Sequence, residues 1–346
     1  MLFYEVIKIF ILATLSFVIA FLLTPFLTHF LFKYKMGKQI RDSAAAPIAS
    51  HLHKAKSGTP TMGGISVWFT VFLLAVVIYY GSVFTGWKGF GFLNFLSRSQ
   101  TLLPLGALVA SALVGLVDDW FNVKKIGPAG GGMAIRYRLL IYTAIATVGA
   151  WWFYYKLEWD VIHIPFLGNF NIGIWYIPLF IFIIAATSFS VNETDGLDGL
   201  AGGTLLAAFS AYVVIAFVQG KTDLAVFCAA IVGALLAFLW FNINPARFFM
   251  GDTGAMSLGI TLGIVALLTN TVLLLPLIGF VFMMESVSVI IQMISKKIRK
   301  KKVFLSAPIH HHFEAIGWSE PKIVMRFWII SAVTTVIGLT LFLIDK

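Results

Sequence analysis

The chain has 346 residues, a formal net charge of +10, 60% hydrophobic residues and only 12% charged ones. A soluble globule is about half apolar and about a quarter charged, so these proportions and a mean hydropathy of +0.93 exclude a soluble enzyme and indicate a polytopic membrane protein. The single cysteine, Cys228, excludes a disulfide framework and a cysteine metal site, and no polar domain is long enough to bind nucleic acid.

A helix crosses the hydrocarbon core with about 20 apolar residues. Ten stretches qualify: 6–32, 62–80, 101–119, 138–155, 174–191, 200–218, 222–241, 255–270, 272–295 and 323–343. The first is too long for a signal-peptide core and shows no clear cleavage site, so it reads as a retained helix. Between the fourth and fifth, "WDVIHIPFLGNFNIGIWYIP" alternates and carries "GN" in its middle, which predicts a small β-hairpin outside the bilayer. The fold class is therefore an all-α polytopic membrane protein, one domain over 1–346, with about ten transmembrane helices.

Charge gives the orientation. Lys33, Lys35, Lys38, Arg41, Lys54 and Lys56 follow the first helix. Lys124, Lys125, Arg136 and Arg138 follow helix three, Arg247 follows helix seven, and Lys and Arg are densest after helix nine, in "KKIRKKK" at 296–302. Only Lys8, Lys88, Arg98, Lys156, Lys221 and Lys346 fall on the other side or at the ends. The loops after helices one, three, five, seven and nine are therefore expected to face the cytoplasm, and both termini to lie outside. The run at 296–302 suits anionic headgroups, which makes membrane lipids partners.

Each cytoplasmic loop, near 33–61, 118–138, 192–200, 242–254 and 296–322, carries a dense polar motif. The motifs are "HLHKAKSGTPTMGG", "VDDWFNVKK", "NETDGLDGLAGG", "WFNINPARFFMGDTG" and "APIHHHFE". Asp118 and Asp119 close an apolar helix; neighbours there point about 100° apart, so they share a site only near a frayed end. Asp195 and Asp198 share a face if their segment is helical. Asp252 sits between glycines. Any one Asp could be an interfacial N-cap, but ionisable groups this near the membrane tend to be functional.

Aspartate oxygens with few imidazoles suit Mg²⁺ shared with substrate phosphates. Lys56, Arg138 and the histidines would sit well against phosphate, which points to phosphoryl transfer. No P-loop is present: "GPAGGGMAIR" lacks the G-K-[ST] ending and reads as a flexible loop. "GTPTMGG" could cradle phosphate on backbone N–H groups or simply turn the chain into helix two. Three adjacent imidazoles cannot all point one way, so His310, His311 and His312 make a poor metal cage by themselves.

Together, "KSGTPTMGG", "DDW", "NETDGLDGLAGG", "WFNINPARFFMGDTG" and "PIHHHFEAIGWSEPKIVMRFW" resemble the polyprenyl-phosphate N-acetylhexosamine-1-phosphate transferases over nearly the whole chain. The HHHFE and "KIVMRFW" stretches resemble the branch that handles phospho-N-acetylmuramoyl-pentapeptide. The resemblance implies ten transmembrane helices with both ends outside, Mg²⁺, and often a homodimer. It implies UDP-MurNAc-pentapeptide and undecaprenyl phosphate as substrates; a sibling transferase using UDP-GlcNAc is the alternative.

Carried over residue by residue, Asp252 matches the family's magnesium ligand. Asp118 and Asp119 match its paired catalytic aspartates, with Asp118 nearest the lipid phosphate. Asn192, Asp195, Gly196, Leu197 and Asp198 match the nucleotide segment. Phe249 matches a uracil-stacking aromatic and Asn242 an asparagine of the same pocket. Lys56, with Thr59 in the turn beyond it, His310, His311 and His312 match groups around the diphosphate and sugar, His311 among the catalytic set. Arg138 stands where the family commonly has Lys, and Glu193 where it usually has Leu. Direct attack by the lipid phosphate and a covalent aspartyl phospho-sugar both remain open.

Overall fold

The structure is a computed structural model; it describes residues 2–37, 56, 58–128 and 131–346. Lys38, Arg41 and Lys54 of the first basic loop lie outside the described residues. Without water, backbone groups must be satisfied within the segment, so the apolar runs fold as helices. They are α1 (Leu2–Lys33), α2 (Ile65–Thr85), the short α3 (Lys88–Leu93), α4 (Leu102–Val123) and α5 (Ile135–Trp151). After the hairpin come α6 (Tyr176–Thr194), α7 (Leu200–Val218), α8 (Thr222–Asn242) and α9 (Gly251–Leu268). The chain ends with α10 (Leu275–Ile278), α11 (Phe280–Ile298), α12 (Ile309–Ala315) and α13 (Glu320–Asp345).

Helix α9 is the axis of the bundle. It packs on α4 and α6, while α8 packs on α1 and α7, and α13 covers α7. Small residues allow the close approach, as is usual where lipid tails compete for apolar contact. A Cβ on Gly115 of α4 would lie 2.4 Å from the Asp252 carbonyl oxygen, and one on Gly259 of α9 2.8 Å from Ser188 Cα. The perimeter is apolar instead of polar: Phe10, Leu22 and Phe26 of α1 and Met325, Ile329 and Val333 of α13 are exposed. Such a belt of outward-facing apolar side chains belongs against lipid.

Among the described residues, eight helices are long and apolar enough to cross a bilayer, or nine if one bent pair counts as a single span. Two expectations change here. The stretch 272–295 is not one straight helix: its two parts, Val272–Ile278 and Phe280–Ile298, meet at 87°. Gly279 holds the corner at φ −105°, ψ 33°, and a Cβ there would come 3.2 Å from the Leu275 carbonyl oxygen. The fourth predicted span has only 17 α-helical residues, then widens into a π turn, Trp152–Lys156.

The hairpin forms as expected, β1 (Val161–Ile164) against β2 (Gly168–Asn171), antiparallel, with Ile164 opposite Gly168. Its turn is displaced, however. The chain reverses through Pro165, Phe166 and Leu167, and the "GN" pair lies inside β2. Both ends of the chain meet the turn between α7 and α8. Lys8 Nζ lies 3.2 Å from Asp223 Oδ1, and Lys346 Nζ donates to the Val218 carbonyl at 2.6 Å. That end of the bundle is opposite Asp252.

Candidate active site

The C-terminal part of α4, the start of α5, the end of α6 and the start of α9 converge on one charged cluster. Arg138 is its centre. Its Nε lies 2.6 Å from Asp118 Oδ2, its Nη2 3.3 Å from Asp252 Oδ2, and its Nη1 donates to Asn192 Oδ1 at 3.2 Å. Asn192 also donates through Nδ2 to Asp252 Oδ1. The described end of the glycine-rich loop, from Gly131 on, meets this cluster: Met133 N donates to Asp118 Oδ1 at 2.5 Å. Gly132, at φ +89°, makes the approach, since a Cβ there would come 3.1 Å from Asp118 Oδ1.

The paired aspartates separate. Helix α4 runs on to Val123 without fraying, so the 100° rotation between neighbours holds. Asp119 faces away from Asp118: it accepts from Thr61 Oγ1 at 3.0 Å and from Thr253 N at 3.0 Å. Asp195 lies just past α6 and accepts from Gly251 N at 3.1 Å. Both carboxylates therefore satisfy orphan N–H groups in the first turn of α9, where its dipole favours negative charge.

The "GTPTMGG" turn cradles no phosphate through its last glycines, whose N–H groups are already spent. Gly63 N donates to the Phe249 carbonyl and Gly64 N to the Met250 carbonyl, each at 2.8 Å. Here "GTPTMGG" docks the first loop onto the segment before α9. Thr59 is half-buried in this turn, its N–H given to the Lys56 carbonyl at 3.1 Å.

A second cluster stands beside the first. Lys56 Nζ lies 2.6 Å from Asp198 Oδ1 and 2.5 Å from Glu320 Oε1. Asn244 Nδ2 donates to both acids, at 3.0 and 3.2 Å, and Asp198 N donates to Glu320 Oε1 at 2.6 Å. Asp195 and Asp198 do not share a helix face; residues 195–199 form turns, and the two acids go to different clusters. The half-buried ring of Phe249 lies 5.9 Å below the Lys56 ammonium. Asn242 is buried and holds the walls: it accepts from Gly199 N at 3.0 Å and donates to the Phe248 carbonyl at 2.8 Å. Leu197 packs in an apolar cluster with Leu200 and Phe327.

The three histidines fan out from α12. His310 is fully buried, its Nδ1 3.0 Å from Glu285 Oε2. Burial pulls its pKa down, but Glu285, with Glu314 and Glu193 adding, outweighs that and leaves it raised. Its Nε2 abuts Gly196, where a Cβ would lie 2.2 Å away. His311 Nδ1 pairs with Glu314 Oε2 at 2.6 Å. His312 Nδ1 accepts from Leu305 N at 3.3 Å, and its ring packs on Phe304.

The structure thus brings Asp118, Arg138, Asn192 and Asp252 together, and beside them Lys56, Asp198 and Phe249. Sequence reasoning missed Glu320, Asn244, Glu285 and the Met133 amide. Glu320 lies within the quoted stretch "SEPKIVMRFW" but is not singled out there; Glu285 lies outside every quoted motif, and its place in an apolar run is its one signal. Among the described residues no three His, Cys, Asp or Glu side chains converge at metal-binding distance.

Residues 101–270 match the model of glycosyl transferase family 4. The chain is 40% identical to the phospho-N-acetylmuramoyl-pentapeptide-transferase of Chloroflexus aggregans, over 96% of this chain and 89% of that one. It is 40% identical to the protein of the same description from a Geobacillus species, over 94% and 95%. A third, from Clostridium novyi, is 37% identical over 93% of each chain.

Proposed function

The chain belongs to the phospho-N-acetylmuramoyl-pentapeptide-transferase family, and on that premise we propose the reaction that the cluster carries out. It transfers phospho-N-acetylmuramoyl-pentapeptide from UDP-MurNAc-pentapeptide to undecaprenyl phosphate, giving lipid I and UMP, in peptidoglycan synthesis. The observation that carries the reading is the meeting of Asp118, Asp252 and Arg138 at the polar end of an apolar bundle. A water-soluble and a lipid-borne phosphate can meet only at such a boundary.

A lipid phosphate oxygen forms the new bond to the β-phosphorus as the bond from that phosphorus to the bridging oxygen breaks, and UMP leaves with that oxygen. The second pKa of a phosphate monoester is near 6, so at neutral pH the nucleophile is largely dianionic and needs orientation more than a strong base. Asp118, on the last turns of α4, is the group we assign to that orientation. Arg138 spans Asp118 and Asp252 and meets the charge on the transferred phosphate with a planar fork. Lys56 and Phe249 form a cation-over-ring pair suited to a uracil with its diphosphate nearby.

The donor set fits Mg²⁺. Asp252, Asp118 and the Asn192 amide offer hard oxygens, and Mg²⁺ is usually held by one or two carboxylates with substrate phosphates and water completing six ligands. Asp252 is the ligand we assign. A Mg²⁺ held there would supply positive charge against the phosphate of the departing UMP.

Counting the bent pair as one crossing and α5 with its π turn as another gives ten spans, and Lys8 and Lys346 at one end of the bundle support an even number. By the positive-inside rule the site faces the cytoplasm from the bacterial inner membrane. The family resemblance supports a homodimer. Purified protein with Mg²⁺, undecaprenyl phosphate and either UDP-MurNAc-pentapeptide or UDP-GlcNAc tests the assignment. UMP release is expected with the first sugar nucleotide alone; release only with the second would overturn it.

A further inference from the structure

Asp252 opens α9 and Leu268 closes it. At about 1.5 Å per residue, the far end of α9 lies roughly 25 Å from the catalytic cluster. There the hairpin, the α7–α8 turn, the segment after α9 and the end of α13 enclose a cavity of about 400 Å³. Its wall carries Lys221 and Lys346. Basic residues are scarce at this end, with only Lys8, Lys88, Arg98 and Lys156 besides these two. Two of six in one cavity is a concentration that the general charge bias does not explain.

Each ammonium has a local role. Lys221 Nζ donates to the Leu268 carbonyl at 2.6 Å and Lys346 Nζ to the Val218 carbonyl at 2.6 Å, capping the C-terminal ends of α9 and α7. An ammonium has three donors, so one carbonyl leaves capacity for an anion. The acid in the wall, Asp345, does not supply that anion to the lysines. Its Oδ2 is paired with His163 Nε2 at 2.6 Å and its Oδ1 accepts from Phe166 N at 2.6 Å. Burial pushes the Lys221 ammonium down to about 8, and its Nζ also lies 5.4 Å from the Trp159 ring in the cavity wall. Leu274 and Phe342 line the same cavity with apolar surface.

We propose that this cavity binds a phosphate group, with Lys221 as its principal contact and the apolar wall able to receive the chain of a phosphate-bearing lipid. Two sources share that chemistry, an anionic phospholipid headgroup and free inorganic phosphate. The site is separate from the transferase reaction and does not depend on its assignment.

The test reads Lys221 itself, because the basic run at 296–302 also attracts anionic lipid. The full chain is pulsed with an amine-acylating reagent in maltoside micelles. The additions are nothing, inorganic phosphate, phosphatidylglycerol, or diacylglycerol as a phosphate-free tail control. Peptide mass spectrometry then reports acylation at Lys221 and, outside the cavity, at Lys156. Phosphatidylglycerol is expected to slow Lys221 about threefold or more by mass action, with Lys156 and the diacylglycerol arm unchanged. An equal effect of inorganic phosphate identifies the free ion as sufficient; slowing by the lipid alone identifies the lipid. Equal rates in all four media overturn the proposal. Native mass spectrometry is the second measurement: Lys221→Met should retain one phosphatidylglycerol fewer than wild type, and Lys221→Arg should restore it. Identical lipid counts in wild type and Lys221→Met also overturn it.

Discussion

Arg138 Nε stands 2.6 Å from Asp118 Oδ2, and the same guanidinium reaches on to Asp252. One planar cation thus fixes the separation of the two acids assigned to nucleophile and metal. Removing it leaves the buried Asp118 carboxylate facing that of half-buried Asp252 with no cation between them, which is costly. Arg138→Ala is expected to lower kcat by roughly 10²-fold or more, the usual loss when one charge-stabilising donor is removed. Arg138→Lys keeps the charge but, as a point donor, cannot hold both acids and Asn192 at once, so its kcat should fall between. UMP release under saturating substrates decides it; an alanine variant with wild-type kcat would remove Arg138 from the chemistry.

Asp252 and Asp119 lie close in space but should respond differently. Asp252→Ala should abolish turnover, and a chelator should silence the wild type until Mg²⁺ is returned. Asp119 accepts from Thr61 and Thr253 at the start of α9. Asp119→Asn should therefore act on stability, by about 1–3 kcal/mol for a buried hydrogen-bonded acceptor, as well as on rate. A chelator without effect on the wild type would defeat the metal assignment.

The spans were legible because bilayer thickness sets a length that hydropathy can detect. The candidate site was legible as loops, because the dense polar motifs follow alternate apolar spans. Contacts made across the chain were not. Nothing in "GTPTMGG" says that Phe249 and Met250 will take its N–H groups, and nothing in "DDW" says that α4 continues to Val123 and sends Asp119 to cap α9. The corner at Gly279 was hidden because a single glycine in an apolar run fits a straight helix as well as a bent one. Glu320 was missed because its role comes from meeting Lys56 across the fold.

That meeting gives a third prediction. Glu320 accepts from Lys56, Asp198 N and Asn244, and so ties the first loop to the turn after α6. Glu320→Gln keeps the shape but loses the charge that draws Lys56. KM for UDP-MurNAc-pentapeptide should rise by about 3–10-fold, equivalent to about 1 kcal/mol, with kcat less affected. A drop in kcat at unchanged KM would place Glu320 with the reacting groups instead.

Gly196 is needed for space. A Cβ there would lie 2.2 Å from His310 Nε2, and His310 is locked beside Glu285 in the core. Overpacking of this kind typically costs about 1–3 kcal/mol. Gly196→Ala should lower the melting temperature and raise KM together, because the displaced histidine carries the turn with it. A companion His310→Ala change in the Gly196→Ala background should recover part of the stability. If the double variant is no more stable than Gly196→Ala alone, the clash is not the cause.

His163, in the hairpin, gives a pH dependence. Its hydrogen bond to Asp345 is the main cause of a pKa raised above the ordinary histidine value, with Asn169 adding to it. A group whose folded pKa is raised contributes stability that is full below its unfolded value, about 6.5. That contribution is lost as pH rises through the raised folded value. The difference in melting temperature between wild type and His163→Gln should therefore be greatest near pH 5.5 and shrink toward pH 9. Taking the difference removes titrations common to both proteins. A gap that stays constant across that range would show that the His163–Asp345 contact is held as a neutral hydrogen bond, without the charge that the 2.6 Å pairing implies.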